Sequence, residues 1–208
     1  MTKKVYIDAG HGGKDAGAVG NGLKEKDLTL KISLRLADYL KNNYENVEVK
    51  LSRTGDTYPS LSQRAHEANV WGADLFVSEH INAGGGTGIE TLIHKGLSLT
   101  STTGQKATLF NNHVIQSLNN KKYNIRNRGV KNERNIAVLR ETKMTAILPE
   151  TLFIDNKNDA NLLKQDKFIN DVVQAHAEGI ALILNLKKKK NTYLDVSVKY
   201  NGKSVTGF

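Results

Sequence analysis

The 208-residue chain contains no cysteine and only two prolines, and aromatic residues make up 6% of it. The absence of cysteine excludes disulfide bonds, thiolate zinc ligands and a cysteine nucleophile. Site chemistry must therefore come from histidine, carboxylate, hydroxyl or lysine side chains. The length is sufficient for one well-packed domain with a small appendage.

Long apolar runs are also missing. The opening MTKKVYIDAG becomes polar and glycine-rich after three apolar residues, and no later run approaches the length needed to span a bilayer. We therefore expect no transmembrane segment, and a protein made in the cytoplasm without an N-terminal signal peptide.

Acidic residues are too few to balance the basic ones. Thirty lysines and arginines against 21 aspartates and glutamates give a formal net charge of +9. Such a chain favours an acidic partner, whether nucleic acid, anionic lipid or an anionic wall polymer. Because aromatics are scarce and no nucleic-acid-binding motif is present, we expect no specific nucleic-acid partner.

Segments of strand and helix character alternate along the chain. Apolar patterns predict strands in KVYIDAG, VEVKLSR, DLFVSEH, GIETLIHKG, AVLR and MTAILPE. Helices are predicted in DLTLKISLRLADYLKNNY, LSQRAHEANVWG and QKATLFNNHVIQSLNN, with a long helix from about Asp159 to Leu186. This order predicts an α/β fold in three layers, with a mainly parallel central sheet flanked by helices.

The pattern changes at the lysine run that begins at Lys187. We expect residues 1–186 to form the main domain and residues 187–208 to be a lysine-rich linker and short tail. The tail alternates like a strand and has a turn signal at Asn201-Gly202. Since it is too short to bury a core alone, it is an added edge strand or the stub of a further module.

Residues 8–20 form a glycine-rich stretch, DAGHGGKDAGAVG, directly after the first predicted strand. A phosphate-binding loop would require G-x-x-x-x-G-K-[ST], or G-x-G-x-x-G opening straight into a helix. Neither is present, and the next helix is predicted to begin only near Asp27. The glycines instead leave room around His11 for a bulky substrate and a metal.

His11 has two candidate partners at the ends of predicted elements. Glu25 precedes the first helix, and His80 ends the buried strand DLFVSEH. Two imidazoles and one carboxylate are the ligand set of a catalytic zinc site that leaves one position for water. Glu150, at the end of MTAILPE, is a candidate general base or acid. Taken singly, His11 also fits a structural loop histidine, Glu25 a helix-start carboxylate, and Glu150 a locally satisfied strand end.

Other candidates carry less chemistry. The remaining histidines fall within predicted helices or a strand, where packed or exposed roles are more common: His66, His94, His113 and His176. No G-x-S-x-G motif points to a serine hydrolase of the nucleophile-elbow type. Glu90, in GIET, is either a group that supports the metal ligands or a polar residue on a strand surface.

Nine separated motifs run along the chain from about Lys4 to about Leu186: IDAGHGGKDAGAVG, KEKDLTLKI, LSRTGD, LSQRAHEAN, ADLFVSEHINA, GIETL, RGVK, AVLRETKMTAILPE and FIDN. In these motifs and their order the chain resembles the zinc-dependent N-acetylmuramoyl-L-alanine amidases of the type 3 amidase family. Members of that family occur in bacterial autolysins and phage endolysins.

The resemblance implies a peptidoglycan hydrolase that cleaves the amide between N-acetylmuramic acid and L-alanine of the stem peptide with zinc-activated water. Matched residue by residue, it implies His11, Glu25 and His80 as zinc ligands and Glu150 as the catalytic glutamate. A zinc-dependent peptidoglycan peptidase or deacetylase, or a wall-binding protein without catalysis, are the alternatives. The four intact residues argue against the last.

Five further positions lie in these motifs or, for Leu152, two residues after Glu150. Arg64 and Asn82 match the family without an implied catalytic role. The chain departs from the family at Ala16, where proline is common, at Glu79, where the family has a small or apolar residue, and at Leu152, where glycine is common. The last two departures bear on the shape and charge of the substrate groove.

Peptidoglycan is the implied substrate, and anionic wall polymers are candidate further partners. Since no signal peptide is expected, we expect action on the cell wall after release, during host lysis or mother-cell lysis. The tail after residue 190 occupies the position where such enzymes often carry a wall-binding module.

Overall fold

A computed structural model of the chain describes residues 1–190, 199–200 and 203–204. Eight strands lie in the first of these ranges: β1 (Lys3–Ala9), β2 (Val19–Gly20), β3 (Leu23–Lys24), β4 (Val47–Leu51), β5 (Leu75–Asn82), β6 (Ile89–Leu92), β7 (Asn127–Lys131) and β8 (Thr145–Phe153). Six of them form one sheet in the order β4-β1-β5-β8-β6-β7, while β2 and β3 pair as a small hairpin. Within the large sheet only β6 and β8 are antiparallel, so the predicted mainly parallel sheet is confirmed.

Helices cover both faces of this sheet. They are α1 (Glu25–Asn43), α2 (Leu61–Trp71), α3 (Thr102–Asn120), α4 (Ala137–Glu141), α5 (Lys157–Leu163) and α6 (Asp166–Leu184). The larger apolar core lies under α1, α3 and α6, and the smaller one lies under α2 and α4 on the opposite face. The predicted three-layer α/β arrangement is therefore confirmed.

The apolar spacing of α1 explains how its position is fixed. Leu28, Ile32, Leu36 and Leu40 recur every four residues and are all buried against the sheet. The first turn of this helix is thereby held at the carboxyl ends of β1 and β5, which lie beside each other in the sheet. Glu25, the first residue of α1, is placed at that edge.

The segment AVLR forms helix α4 instead of the predicted strand. Four residues are too few for periodicity to distinguish a strand from a helical turn. Adjacent Val138 and Leu139 are both buried, an arrangement that a helix packed against α2 permits. Within residues 1–190 sequence reasoning missed three strands: the two-residue strands β2 and β3 of the small hairpin, and β7, whose polar residues NRGVK lie at the edge of the sheet.

The predicted long helix from Asp159 to Leu186 consists of two helices separated at residues 164–165. The helical path is interrupted at Gln165, whose backbone is extended (φ −89°, ψ 119°). The buried carboxylate of Asp159 accepts hydrogen bonds from the backbone of Gly88 and Phe153 and ties α5 to the end of β8. The chain then turns and α6 packs along the core as a separate element.

An acidic side chain in α6 secures that helix to the end of α3. The carboxylate of Asp171 accepts hydrogen bonds from Lys121 Nζ at 2.6 Å, Tyr123 Oη at 2.6 Å and Lys167 Nζ at 2.8 Å. Burial raises the pKa of Asp171, but these three donors outweigh it and lower the pKa to about 2. The cluster therefore stabilises the fold when Asp171 is ionised.

The lysine run packs against the end of α1. Lys188 forms a β-bridge with Tyr44, and the backbone N–H of Lys189 donates to the carbonyl of Asn43 at 2.8 Å. Further along, β9 (Lys199–Tyr200) and β10 (Lys203–Ser204) pair antiparallel in a separate two-stranded sheet. The rest of the predicted tail strand lies outside the described residues. Among the helices in the described part of the chain, none is long and apolar enough to cross a membrane.

Candidate metal centre and active-site cleft

Three predicted ligands meet at the carboxyl edge of the sheet. His11 follows β1 by two residues, His80 lies near the end of the neighbouring β5, and Glu25 opens α1. One ligand atom from each lies within 4.8 Å of the other two. Residues far apart in sequence are therefore brought together by parallel strands and the helix that follows the first of them.

The carboxylate of Glu25 lies between the two imidazole rings. Its Oε2 is 3.1 Å from His11 Nε2, and its Oε1 is 2.9 Å from His80 Nδ1. Each oxygen also accepts a backbone N–H, Oε2 from Ala18 at 2.8 Å and Oε1 from Ile81 at 3.0 Å. These four contacts fix the position and orientation of the Glu25 carboxylate.

The pKa values of these groups reflect their proximity. Burial raises the pKa of Glu25, but hydrogen bonds from His11 and His80 outweigh it and lower this pKa well below its usual range. Burial lowers the pKa of His80, yet Glu25 and the negative charge of Glu150 raise it to about 9. The pKa of His11 is raised against burial by Glu25 and Asp15. The pocket thus stabilises positive charge beside the buried carboxylate of Glu25, and a divalent cation bound there would be stabilised by the same negative charge.

Asp15 is a supporting residue that sequence reasoning missed. Its Oδ2 lies 2.9 Å from His11 Nδ1, the ring nitrogen directed away from Glu25, and its Oδ1 accepts the N–H of Gly17 at 3.0 Å. A carboxylate on the second nitrogen fixes the tautomer and orientation of a metal-binding histidine. The available signal was the acidic residue four positions after His11 in the glycine-rich loop.

The glycines of the loop allow its backbone to approach the ligands. A Cβ atom at Gly10 would lie 2.5 Å from His80 Cε1, and one at Gly17 would lie 2.6 Å from both Glu25 Oε2 and His11 Cδ2. His11 itself has a left-handed backbone with φ of 62°. The loop is therefore shaped to pack against the ligands, and it contains no phosphate-binding turn.

Glu150 faces the same cleft from the neighbouring strand. It pairs in register with His80 across β5 and β8, and it lies within β8 instead of at the predicted strand end. Only 7% of its surface is exposed, and burial, aided by the charges of Glu25 and Glu90, raises its pKa to about 7. Its Oε2 has no hydrogen-bond partner among the described residues, and Arg134 Nη1 lies 3.8 Å from its Oε1. Glu150 therefore has a free oxygen and a pKa suited to proton transfer near neutral pH.

Glu90 belongs to a hydrogen-bonded cluster beside Glu150. The two carboxylates are register partners in the antiparallel pair of β6 and β8. Glu90 accepts hydrogen bonds from Asn82 Nδ2 at 2.9 Å and Arg128 Nε at 2.7 Å. It is thus buried and satisfied, and it is not a solvent-facing strand residue.

Glu79 and Leu152, the two departures from the family that were expected to affect the substrate groove, have side chains outside the cleft. Glu79 faces the opposite side of β5 from His80 because side chains alternate along a strand, and its carboxylate lies 3.1 Å from His176 Nδ1 in the core. Leu152 has a left-handed backbone with φ of 66°, which explains why glycine is common at this position. Neither side chain lines the cleft.

The cleft beside the ligands has a volume of about 430 Å³. Its apolar wall includes Tyr58, Leu61, Ile136, Val138 and Leu148. Within residues 1–190, no other cluster of three histidine or acidic side chains has metal-binding spacing.

Comparison with known proteins agrees with this geometry. The family model described as N-acetylmuramoyl-L-alanine amidase matches residues 5–182. The endolysin of Bacillus phage SPP1 is 52% identical over 190 residues, covering 91% of this chain and 69% of the endolysin. The sporulation-specific N-acetylmuramoyl-L-alanine amidase of Bacillus subtilis (strain 168) is 47% identical over 191 residues, covering 92% and 72% respectively.

Solved structures resemble the chain closely. The N-acetylmuramoyl-L-alanine amidase from Clostridium difficile 630 has a TM-score of 0.81 at 33% identity, over 88% of this chain and 97% of that one. The catalytic domain of the amidase CwlV from Bacillus (Paenibacillus) polymyxa var. colistinus has a TM-score of 0.80 at 34% identity, over 89% and 100% respectively. The chain belongs to the N-acetylmuramoyl-L-alanine amidase family.

Proposed function

We propose that the chain is a zinc-dependent peptidoglycan amidase that hydrolyses the bond between N-acetylmuramic acid and the L-alanine of the stem peptide. The observation that carries this proposal is the placement of Glu150 beside His11, Glu25 and His80 in one cleft. Family membership supplies the substrate class, and the relatives named above are described as amidases or as an endolysin.

The donor set fits zinc. Two imidazole nitrogens and one carboxylate oxygen, with a fourth position open, are typical of catalytic zinc sites. The carboxylate of Glu25 is already oriented by two backbone N–H groups, and His11 by Asp15, as metal-binding side chains usually are. Zinc in such a site supplies a Lewis acid that polarises the scissile carbonyl and lowers the pKa of water.

Glu150 is the group we assign to proton transfer. Its buried position and its pKa near neutrality allow it to accept a proton from the attacking water and to donate it to the leaving amine of L-alanine. Oε2 of Glu150 forms no hydrogen bond to any described residue, so this oxygen is available to accept and donate the proton. The amide is thus converted into a carboxylic acid on the lactyl group and a free amino group on the stem peptide.

The shape of the cleft suits a glycopeptide. Tyr58 and Leu61 are 38% and 47% exposed on its apolar wall, where they can contact the sugar ring and the methyl groups of the lactyl and alanyl units. The net charge of +9 additionally favours retention on a wall rich in anionic polymers, and the site of action is the bacterial cell wall.

The proposal is tested by following the release of amino groups from purified peptidoglycan. Removal of metal with a chelator should abolish the release, and stoichiometric zinc should restore it. Full activity in protein that metal analysis shows to be free of zinc would refute zinc dependence. A folded, zinc-loaded protein that releases no amino groups would instead support the non-catalytic wall-binding alternative.

A further inference from the structure

Arg53, in the motif LSRTGD, is a buried cation that the proposed mechanism does not use. Only 4% of its surface is exposed, and no carboxylate among the described residues forms an ion pair with it. Its guanidinium is surrounded by uncharged oxygen atoms. Burying a charge without a counter-charge costs free energy, which its hydrogen bonds must offset. A buried, unpaired guanidinium therefore points to a role for those hydrogen bonds.

The first group of these bonds holds the loop that carries His11. Arg53 Nε donates to the carbonyl of Ala9 at 2.9 Å, and Nη2 donates to the carbonyl of Gly10 at 2.9 Å. Gly12, on the other side of His11, packs so tightly on the guanidinium that a Cβ atom there would lie 2.9 Å from Arg53 Nε. The path of the backbone through His11 is thereby set by Arg53.

The second group holds the start of the helix that carries Glu25. Arg53 Nη2 also donates to the carbonyl of Lys26 at 2.8 Å and to Thr29 Oγ1 at 3.1 Å, both in the first turns of α1. Thr29 Oγ1 donates in turn to the carbonyl of Gly10 at 2.7 Å. One guanidinium therefore connects the two segments from which His11 and Glu25 project.

We propose that Arg53 is a positioning residue of the metal centre, whose guanidinium fixes the separation of His11 and Glu25 and so sets the affinity of the site for zinc. A general structural role would instead lower the stability of the fold and leave the affinity unchanged. Arg64, which donates to the carbonyl of His11 at 2.7 Å, differs because its charge is paired with Asp8 and because its hydrogen bonds to the described residues do not reach α1. The inference rests on the proposed zinc site.

Two variants separate these roles. Arg53→Lys keeps the charge but cannot reach both segments with a planar fork, and Thr29→Val removes the hydroxyl that links Arg53 to Gly10. Zinc affinity is measured by competition with a chromogenic chelator, and the absorption spectrum of the cobalt-substituted protein reports the geometry of the ligands. We expect Arg53→Lys to weaken zinc binding by roughly 10- to 100-fold and to alter the cobalt spectrum, with a smaller change for Thr29→Val.

Matched controls exclude trivial effects. Arg35→Lys alters a partly exposed arginine of α1 that donates to Asn170 and Asp166. Val172→Ala should lower the stability of the core at a buried residue of α6 that does not line the cleft. Both should retain wild-type zinc affinity. Should the Arg53 variant fail to fold, Thr29→Val alone decides the outcome.

The results distinguish this inference from the proposed function. A wild-type protein that binds no zinc would refute the zinc site itself. A wild-type protein that binds zinc, together with folded Arg53 and Thr29 variants that bind it equally well and give the same cobalt spectrum, would overturn the positioning role alone.

Discussion

Replacement of Asp15 by asparagine should weaken zinc binding through the tautomer of His11. When the Nε2 atom of His11 binds the metal, its Nδ1 atom must carry the proton. Nδ1–H then donates a hydrogen bond to Asp15 Oδ2, which lies 2.9 Å from Nδ1. An asparagine amide nitrogen in this place favours the other tautomer, in which Nε2 carries the proton and has no lone pair for zinc. If the amide adopts the flipped orientation, its NH₂ group faces the N–H of Gly17, which in the wild type donates to Asp15 Oδ1. One favourable contact is lost in either case.

The expected size of this effect follows from the exposure of Asp15. Loss of a carboxylate behind a metal-binding histidine weakens metal affinity by roughly 10- to 100-fold, or about 1.4 to 2.7 kcal/mol. Because the Asp15 side chain is 42% exposed, solvent screens the contact, and we expect a value near the lower end. Chelator competition at neutral pH measures it, with Asp166→Asn as the control on an exposed aspartate remote from the site. An Asp15→Asn protein that binds zinc as tightly as the wild type would show that Asp15 does not set the tautomer of His11.

Three further substitutions test other parts of the account. Glu150→Gln should keep its zinc and release amino groups about 10²- to 10⁴-fold more slowly, because the proton-transfer group is lost. Lys14→Ala should leave hydrolysis largely intact, since Lys14 Nζ lies over the ring of Tyr58 at 5.3 Å and Lys14 does not line the cleft. Asp171→Asn should lower the melting temperature near neutral pH. A carboxyl whose folded pKa is lowered adds stability above its unfolded pKa of about 3.8, and this contribution disappears as pH falls toward 2.

Each of these expectations can be contradicted. An active Glu150→Gln protein would remove Glu150 from proton transfer, whereas loss of zinc from it would indicate a role in binding. Severe loss of activity in Lys14→Ala, measured with zinc bound, would indicate that the glycine-rich loop binds an anionic group. For Asp171→Asn, thermal denaturation by circular dichroism should show a gap from wild type that narrows from about pH 5 toward pH 2, and a constant gap would contradict the ionisation argument.

Residue types at the ends of predicted elements were sufficient to identify the candidate site. His11, Glu25 and His80 could be grouped because parallel strands place their carboxyl ends at one edge of the sheet. Glu150 could be added because it follows an apolar run, although the strand continues to Phe153. These inferences depend on strand order, which the alternation of strands and helices restricts strongly.

The contacts of Arg53 with the segments that carry His11 and Glu25 could not be predicted from sequence. Arg53 acts through backbone carbonyls, and any residue has a carbonyl, so no pattern of side chains marks its partners. The prediction for AVLR was wrong and strand β7 was missed for a different reason, because short stretches lack a distinctive hydrophobic period. The core position of Glu79 depends on His176, nearly a hundred residues later in the chain.

We propose that the chain cleaves the amide between N-acetylmuramic acid and L-alanine with zinc bound at His11, Glu25 and His80. Mass spectrometry of purified peptidoglycan digested by the zinc-loaded protein tests it most directly, with a chelated sample as the reference. We predict intact stem peptides that begin with L-alanine, formed only when zinc is present. Shortened stems would indicate a peptidase and loss of acetyl groups a deacetylase, and either product in place of the intact stems would contradict the account.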